Sequence, residues 1–313
     1  MKNIALVIGA TFFWLIIAEV ALRLVYNPAH ISVSNAIMGE PMFTYDAELG
    51  WLIIPNSSGT YTASRTIDYT HNSMGMRESE IVEDARKRLL FLGDSFTWGF
   101  DVQQEERFTE RLKAHFPDYQ IINAGINGYG TDQQWLWYNQ IEQTIKPDAI
   151  VLLYFGENDH VDNSTNMRHG GFYKPYFERT ETELQLKGTP VPKGERYFYA
   201  EFPRLSKLWL VRLGVSAWYK NRAEAKIYID DPTLDLITKF DSDLRSKNIP
   251  FILLAQSPKP SVLSLIDQLD LPFLDISNSF RYENFGGHWT PEGHQFVADS
   301  LLPFLRIELD KLN

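Results

Sequence analysis

The sequence predicts an α/β protein: a parallel sheet covered by helices on both faces, preceded by one membrane-crossing helix. Three observations carry this. Short apolar runs such as Leu89–Leu92 and Ala149–Phe155 stop at glycines and alternate with stretches of helical periodicity. The segment Ile4–Tyr26 is almost wholly apolar, long enough to cross a bilayer core of about 30 Å as a helix. Turns rich in Gly, Asp and Asn follow the strands, where open parallel sheets bind ligands.

The elements follow in order. Lys2 and the amino terminus precede the apolar segment, which favours a cytoplasmic N-terminus. The apolar stretch is too long for a signal-peptide core, and no clear small-x-small cleavage site follows it; residues 1–26 read as an uncleaved signal-anchor. Glu19 and Arg23, spaced i, i+4, are placed to pair near its outer end. Residues 27–85 are mixed in composition and read as extended pieces and turns. Strand Leu89–Leu92 leads to a helix over Arg107–Phe116. Strand Gln120–Ile122 leads to a helix over Thr131–Lys146, with Trp135, Tyr138 and Ile141 on one face. Ala149–Phe155 is the strongest strand. Pro250–Ala255 and Pro272–Ile276 are the fourth and fifth strands, with helices near 232–247 and 262–269. Thr290 N-caps a final helix with Pro291 at its first position. The interval 160–230 interrupts the alternation with a hairpin and an aromatic-rich helical stretch. An insertion of that length reads as a lid or binding wall on a domain spanning 27–313.

Composition narrows the function. The 313 residues carry a formal charge of −10, which argues against nucleic acid as a partner and against polybasic binding to anionic lipid. There is no cysteine, so disulfides, thiolate metal sites and a cysteine nucleophile are excluded. No His/Asp/Glu spacing suggests a metal, and no cofactor is expected.

Four separated segments each leave a strand at its carboxyl end. In Gly93-Asp94-Ser95-Phe96-Thr97-Trp98-Gly99 a serine occupies the first turn after a buried strand. Its hydroxyl is held at the mouth of the sheet and its N–H at a helix N-terminus. In Asn123-Ala124-Gly125-Ile126-Asn127-Gly128-Tyr129-Gly130, glycines let backbone N–H groups approach a ligand. In Gly156-Glu157-Asn158-Asp159, Asn158 offers a side-chain N–H. In His288-Trp289-Thr290-Pro291, His288 can take a serine proton. Each fragment alone is commonplace turn or capping chemistry; their joint order and placement give them weight.

Together these segments resemble the SGNH (GDSL) hydrolases, whose signature Ser, Gly, Asn and His fall on Ser95, Gly128, Asn158 and His288. The resemblance spans about 89–159 and 272–305. It implies a flavodoxin-like three-layer fold with strand order 2-1-3-4-5. It also implies an oxyanion hole made by the Ser95 and Gly128 N–H groups and the Asn158 side chain. The anchor and Asn72-Ser73-Met74-Gly75-Met76-Arg77 also look like membrane-anchored bacterial members. Such a protein sits in the inner membrane by a single span, with its catalytic domain on the periplasmic side.

One departure stands out. The family orients its histidine with an Asp three, sometimes two, residues earlier; here those positions are Phe285 and Gly286. Glu283 and Asp275 are the candidate orienting acids, with a backbone carbonyl as the alternative. Three readings follow: an ester hydrolase, an O-acyltransferase working on an acylated envelope glycan, and a binding module that has lost catalysis. Trp98 and Trp289 read as core packing before pocket walls, as do Trp135 and Trp137. Arg77 reads as a surface arginine, and His160 and His169 as possible neighbours of the cleft. Glu178, Glu181 and Glu183 read as a hairpin's solvent face, and His294 receives no role.

Overall fold

A computed structural model of the chain describes residues 2–25, 42–84, 86–168, 171–222, 224–284 and 287–311. In chain order it contains α1 (Lys2–Val25), β1 (Phe43–Asp46), β2 (Gly50–Ile53), β3 (Ser58–Thr62), β4 (Thr66–Thr70), β5 (Lys87–Leu92), α2 (Ser95–Trp98), α3 (Phe108–Lys113) and β6 (Tyr119–Asn123). There follow α4 (Thr131–Ile145), β7 (Ala149–Phe155), α5 (Asp159–Asn163), β8 (Met167–Arg168), β9 (Phe172–Tyr173), β10 (Tyr176–Arg179), β11 (Leu184–Lys187), α6 (Glu195–Glu201) and α7 (Trp209–Lys220). Last come α8 (Thr233–Ser246), β12 (Phe251–Gln256), α9 (Pro260–Leu269), β13 (Phe273–Asp275) and α10 (Pro291–Asp310).

These elements form two compact units, one of Met1–Ala36 with Lys193–Ala225 and one of Ile37–Pro192 with Lys226–Asn313. The larger is built on a five-stranded sheet in the order β13-β12-β7-β5-β6, parallel throughout. Numbered among themselves, the five strands run 2-1-3-4-5, the expected doubly wound order. Side chains alternate faces along each strand. Leu89, Phe91, Val151, Leu153, Ile252 and Leu254 share a core with Phe108 and Leu112 of α3 and Val297, Leu301 and Leu305 of α10. The intervening residues Leu90, Leu92, Ile150 and Leu152 are equally buried. Tyr138 of α4 packs at a tilt against Phe240 of α8, and Phe240 against Phe251 of β12, with ring centroids 5.3 and 5.1 Å apart. Burial on both faces is why these strands read as unbroken apolar runs.

Outside the sheet, 42–70 folds as two antiparallel hairpins, β1–β2 and β3–β4. The second buries Ile67 and Tyr69 while Thr66, Asp68 and Thr70 face out. The expected 107–116 helix is shorter, Phe108–Lys113, with a 3₁₀ turn over Gln104–Glu106 ahead of it. The β10–β11 hairpin exposes Glu178, Glu181 and Glu183.

The interval 160–230 is split between the units: its first part stays with the sheet, while 193–225 clusters with the N-terminal helix. Within that smaller unit, Glu19 accepts hydrogen bonds from the Trp209 and Leu210 N–H groups, each at 2.9 Å. Arg23 pairs with Glu19 and donates to the Lys207 carbonyl at 2.9 Å. A carboxylate on an apolar helix needs such partners, and the first turn of α7 supplies N–H groups that lack intrahelical acceptors.

Candidate active site

The site is built at the carboxyl ends of β5, β6 and β7. β5 ends at Leu92, and the chain turns at Gly93 into α2. A side chain at Gly93 would meet Thr97 Oγ1 at 2.1 Å, so only glycine allows this tight entry. Asp94 N-caps α2, its carboxylate accepting from Phe96 N–H at 2.9 Å. Ser95 is thereby the first helical residue, and its carbonyl accepts from the Gly99 and Phe100 N–H groups. It is 9% exposed.

The loop after β6 is fastened to this turn. Ile126 N–H donates to the Gly93 carbonyl at 3.1 Å, and Asn123 donates to the Thr97 carbonyl at 2.6 Å. Among the three glycines of the loop, Gly125 spends its N–H on Asn123 Oδ1 at 3.1 Å. Gly128 adopts a left-handed conformation, φ +81°, and among the described residues its N–H has no acceptor. That conformation suits glycine and leaves the amide of Gly128, rather than of Gly125, available to a ligand.

Past β7, Asn158 donates from Nδ2 to Asp94 Oδ2 at 3.0 Å. This anchors the amide beside the Ser95 turn and leaves its second N–H hydrogen for another acceptor. Behind it lies a group of buried acids. Burial raises the Asp94 carboxyl above its ordinary range, opposed by its hydrogen bonds from Asn158 and Phe96 N–H. Burial and then the charge of Asp94 push Asp159 up well above its usual value. Asp162 is raised by burial to about 6, opposed by Arg168 and Lys174. Arg168 pairs with Asp162 and lies beside Gly128, 3.4 Å from where a Cβ there would stand.

His288 closes the arrangement, its Nε2 lying 2.8 Å from Ser95 Oγ. The ring lies between Phe96 and Phe100, at centroid distances of 5.0 and 4.4 Å. Its carbonyl accepts from Tyr282 N–H at 2.8 Å, and Arg281 and Trp289 form an antiparallel bridge on either side. Arg281 donates from Nε to the Gly287 carbonyl and grips Glu157 with both terminal nitrogens, at 2.7 and 3.1 Å. That fork joins the histidine loop to the loop bearing Asn158.

Of the two candidate acids, Asp275 accepts from the Ser277 N–H and hydroxyl, and Glu283 faces solvent. Among the described residues no hydrogen bond runs from either to His288. Phe285, Gly286 and His169 lie outside the described residues.

Arg77 corrects the expectation of a surface residue: it is fully buried. Its guanidinium donates to the Gly99, Asp68 and Val102 carbonyls and lies over Trp98 at 4.6 Å. Backbone carbonyls of β4 and of the segment just after α2, not a carboxylate, solvate it. Trp98 and Trp289 are both fully buried, core packing rather than pocket walls. His160 is half-buried on α5. His294 is buried and accepts from Phe108 N–H at 3.3 Å; burial, then the cations Arg107 and Arg77, hold it well below its ordinary range, so it packs as a neutral ring. Arg281, Asp94 and the Phe96–Phe100 pair escaped sequence reasoning, since a lone arginine in a loop and ordinary aromatics carry no pattern.

The family model of the GDSL-like lipases and acylhydrolases matches residues 91–240, a stretch that includes Ser95, Gly128 and Asn158. Among solved structures the chain is similar to TesA (12% identity, 70% of this chain and 98% of that one, TM-score 0.41). It is also similar to the psychrotrophic esterase EstA from Pseudoalteromonas sp. (13% identity, 72% and 99%, TM-score 0.43). A third is a lipolytic G-D-S-L protein from Veillonella parvula (12% identity, 69% and 97%, TM-score 0.38). No curated protein matches the chain.

Proposed function

The chain belongs to the GDSL-like lipase and acylhydrolase family, and from that premise we propose that it is a serine-dependent ester hydrolase with Ser95 as nucleophile and His288 as general base. The observation that carries this is the 2.8 Å contact between Ser95 Oγ and His288 Nε2 at the carboxyl end of the parallel sheet.

His288 takes the hydroxyl proton as Ser95 Oγ bonds to the acyl carbon. Negative charge gathers on the carbonyl oxygen, where the Ser95 and Gly128 N–H groups and the free hydrogen of Asn158 Nδ2 receive it. Collapse breaks the ester C–O bond, and protonated His288 returns its proton to the departing alcohol oxygen. Water then attacks the acyl carbon as His288 takes its proton, the Oγ–C bond breaks as His288 returns that proton to Ser95 Oγ, and the acid leaves. This cycle needs Nδ1 of His288 to carry a hydrogen while Nε2 accepts. Flanking by Phe96 and Phe100 and the Arg281 bond to Gly287 fix the plane and position of the ring.

We also place the protein in a membrane through α1. Within Asn3–Val25 an 18-residue stretch has a mean hydropathy of 2.3 and no buried residue, and 24 helical residues span about 36 Å. With Lys2 on the cytoplasmic side, the catalytic domain faces outward, towards acyl esters or acylated glycans of the envelope. Protection of the catalytic domain from protease in intact spheroplasts would overturn that orientation.

Hydrolysis of p-nitrophenyl acetate and labelling by a fluorophosphonate test the chemistry. Wild type should turn over and label, Ser95→Ala should do neither, and His288→Ala should lose at least about a thousandfold in turnover. A folded wild type that neither labels nor hydrolyses would refute the hydrolase and leave a binding module.

A further inference from the structure

The segment 193–225 differs from the rest of the chain in charge. It carries seven basic residues against three acidic ones, in a protein of net charge −10, together with seven aromatic residues. It also displays apolar side chains to solvent. Phe202, Leu205 and Leu208 are each more than 40% exposed. On α7, Leu213, Ala217 and Trp218 form one exposed stripe, with Trp218 57% exposed. At about 100° per residue these three side chains fall within a sector of roughly 140° of the helix surface. Arg222 stacks over the Trp218 ring at 3.5 Å. None of the α7 side chains is buried, so the helix gains little from a protein core.

We propose that residues 202–222 form an interfacial platform that lies on an anionic phospholipid bilayer, held at headgroup depth by Glu19 and Arg23 of α1. The inference rests on the reading of α1 as a membrane span. Glu19 lies sixteen residues beyond Asn3, about 24 Å along the helix. A core of about 30 Å therefore ends within a turn or so of it. Glu19 holds the first two N–H groups of α7, and Arg23 holds the Lys207 carbonyl and lies 5.6 Å from the Trp209 ring centroid. α7 thus begins at the depth where the span meets the headgroups. Tryptophan is favoured at that boundary. The exposed leucines of a basic amphipathic helix partition into it, while Arg204, Lys207 and Lys220 extend their charges to lipid phosphates. Continuity with the span and the sign of the charge both select a lipid surface over a protein partner.

The absence of cysteine makes the test direct. Single variants Leu213→Cys, Trp218→Cys, Trp14→Cys and Leu263→Cys of the full chain are labelled with a polarity-sensitive fluorophore. They are then reconstituted in phosphatidylcholine vesicles containing phosphatidylglycerol. Leu263, exposed on α9, reports the aqueous baseline, and Trp14 reports the span. The platform predicts blue-shifted emission at positions 213 and 218 and iodide quenching several-fold weaker than at 263. It also predicts strong quenching by lipids spin-labelled near the headgroup. Replacing Arg204, Lys207 and Lys220 together by Gln should weaken this shielding. If Trp14→Cys is shielded while 213 and 218 are quenched by iodide like 263, the platform is refuted and the anchor stands. If Trp14→Cys is itself open to iodide, the anchor reading fails and the platform with it. Unchanged shielding in the triple Gln variant would overturn the role of anionic lipid.

Discussion

Arg281 should affect catalysis through position and not only through its contribution to stability. Its fork onto Glu157 spans the two loops that carry His288 and Asn158, and its Nε holds the carbonyl immediately before His288. The pair is only partly shielded, with side-chain exposures of 21% and 49%, so its direct contribution to folding sits in the range of about 0.2–1 kcal/mol found for surface pairs. The guanidinium also lies 5.7 Å and 5.3 Å from the Phe96 and Phe155 ring centroids, adding about 0.5–1 kcal/mol. Arg281→Ala should therefore cost no more than about 2 kcal/mol of stability. Freed of its tether, the Gly287–His288 segment can drift, and a displacement near 1 Å at a reacting group costs about a hundredfold in rate. We expect kcat to fall about 10- to 100-fold with KM little changed. Glu157→Gln keeps the Nε–Gly287 bond and the ring contacts, so its loss should be smaller; Arg281→Lys, without the fork, should recover only part of the rate. Ester hydrolysis kinetics beside thermal unfolding separate the two roles. A folded Arg281→Ala protein with wild-type kcat would refute the positioning argument. So would a rate loss that merely follows the unfolded fraction.

Two further perturbations follow from buried charge. Burial, and then the nearby Arg77 and Arg107, hold His71 down to about 3, so it stays neutral in the fold while the unfolded chain protonates below its ordinary pKa of about 6.5. Between those values the unfolded state binds more protons, and stability falls as pH falls, by about 2 kcal/mol at pH 5 from this residue alone. Urea unfolding at pH 7 and pH 5 should show a shallower acid loss in His71→Gln than in wild type, and equal losses would exclude His71 as the cause. Asp132 and Lys174 form a fully buried ion pair, so Asp132→Asn strands an ammonium and should cost about 3–5 kcal/mol. Asp132→Asn with Lys174→Met should lower the denaturant midpoint less than Asp132→Asn alone; a deeper loss in the double variant would show that the penalty is not the unpaired charge.

What the sequence made legible follows from where water is excluded. Parallel strands buried on both faces read as unbroken apolar runs, and so Leu89–Leu92 and Ala149–Phe155 stood out as strands, while their order in the sheet came from the resemblance to the SGNH hydrolases. The Gly-Asp-Ser turn was legible because a strand end, an N-cap and a glycine coincide there. The strand Thr66–Thr70 alternates Ile67 and Tyr69 with polar neighbours, but its five residues were lost in a polar stretch. Arg77 was not readable, because its partners are backbone carbonyls, and a carbonyl cradle leaves no trace in side-chain identity. The tie between Glu19 and the first turn of α7 was hidden for a different reason. Its acceptor lies on the N-terminal helix, and its donors are main-chain amides nearly two hundred residues later.

Proximity alone does not make a nucleophile. The chain holds a second Ser–His pair, Ser57 Oγ lying 2.9 Å from His71 Nδ1, almost the separation found at Ser95. Here Trp98 Nε1–H points at His71 Nε2 from 3.3 Å, so Nε2 is the acceptor and Nδ1 carries the hydrogen, which it gives to Ser57. The Ser57 hydroxyl in turn donates to the Ile54 carbonyl at 2.6 Å. The hydrogen-bond chain runs from Trp98 through His71 and Ser57 to the Ile54 carbonyl, so His71 Nδ1 donates to Ser57 and accepts nothing from it, and a ring whose pKa is held near 3 cannot gain a proton at neutral pH. At Ser95 the proposed cycle needs the reverse polarity, the hydroxyl donating to His288 Nε2 beside the N–H groups of Gly128 and the helix start. The difference between this structural pair and the proposed catalytic one therefore lies in the groups around it, Trp98 and Ile54 in one case, an amide-lined strand end in the other.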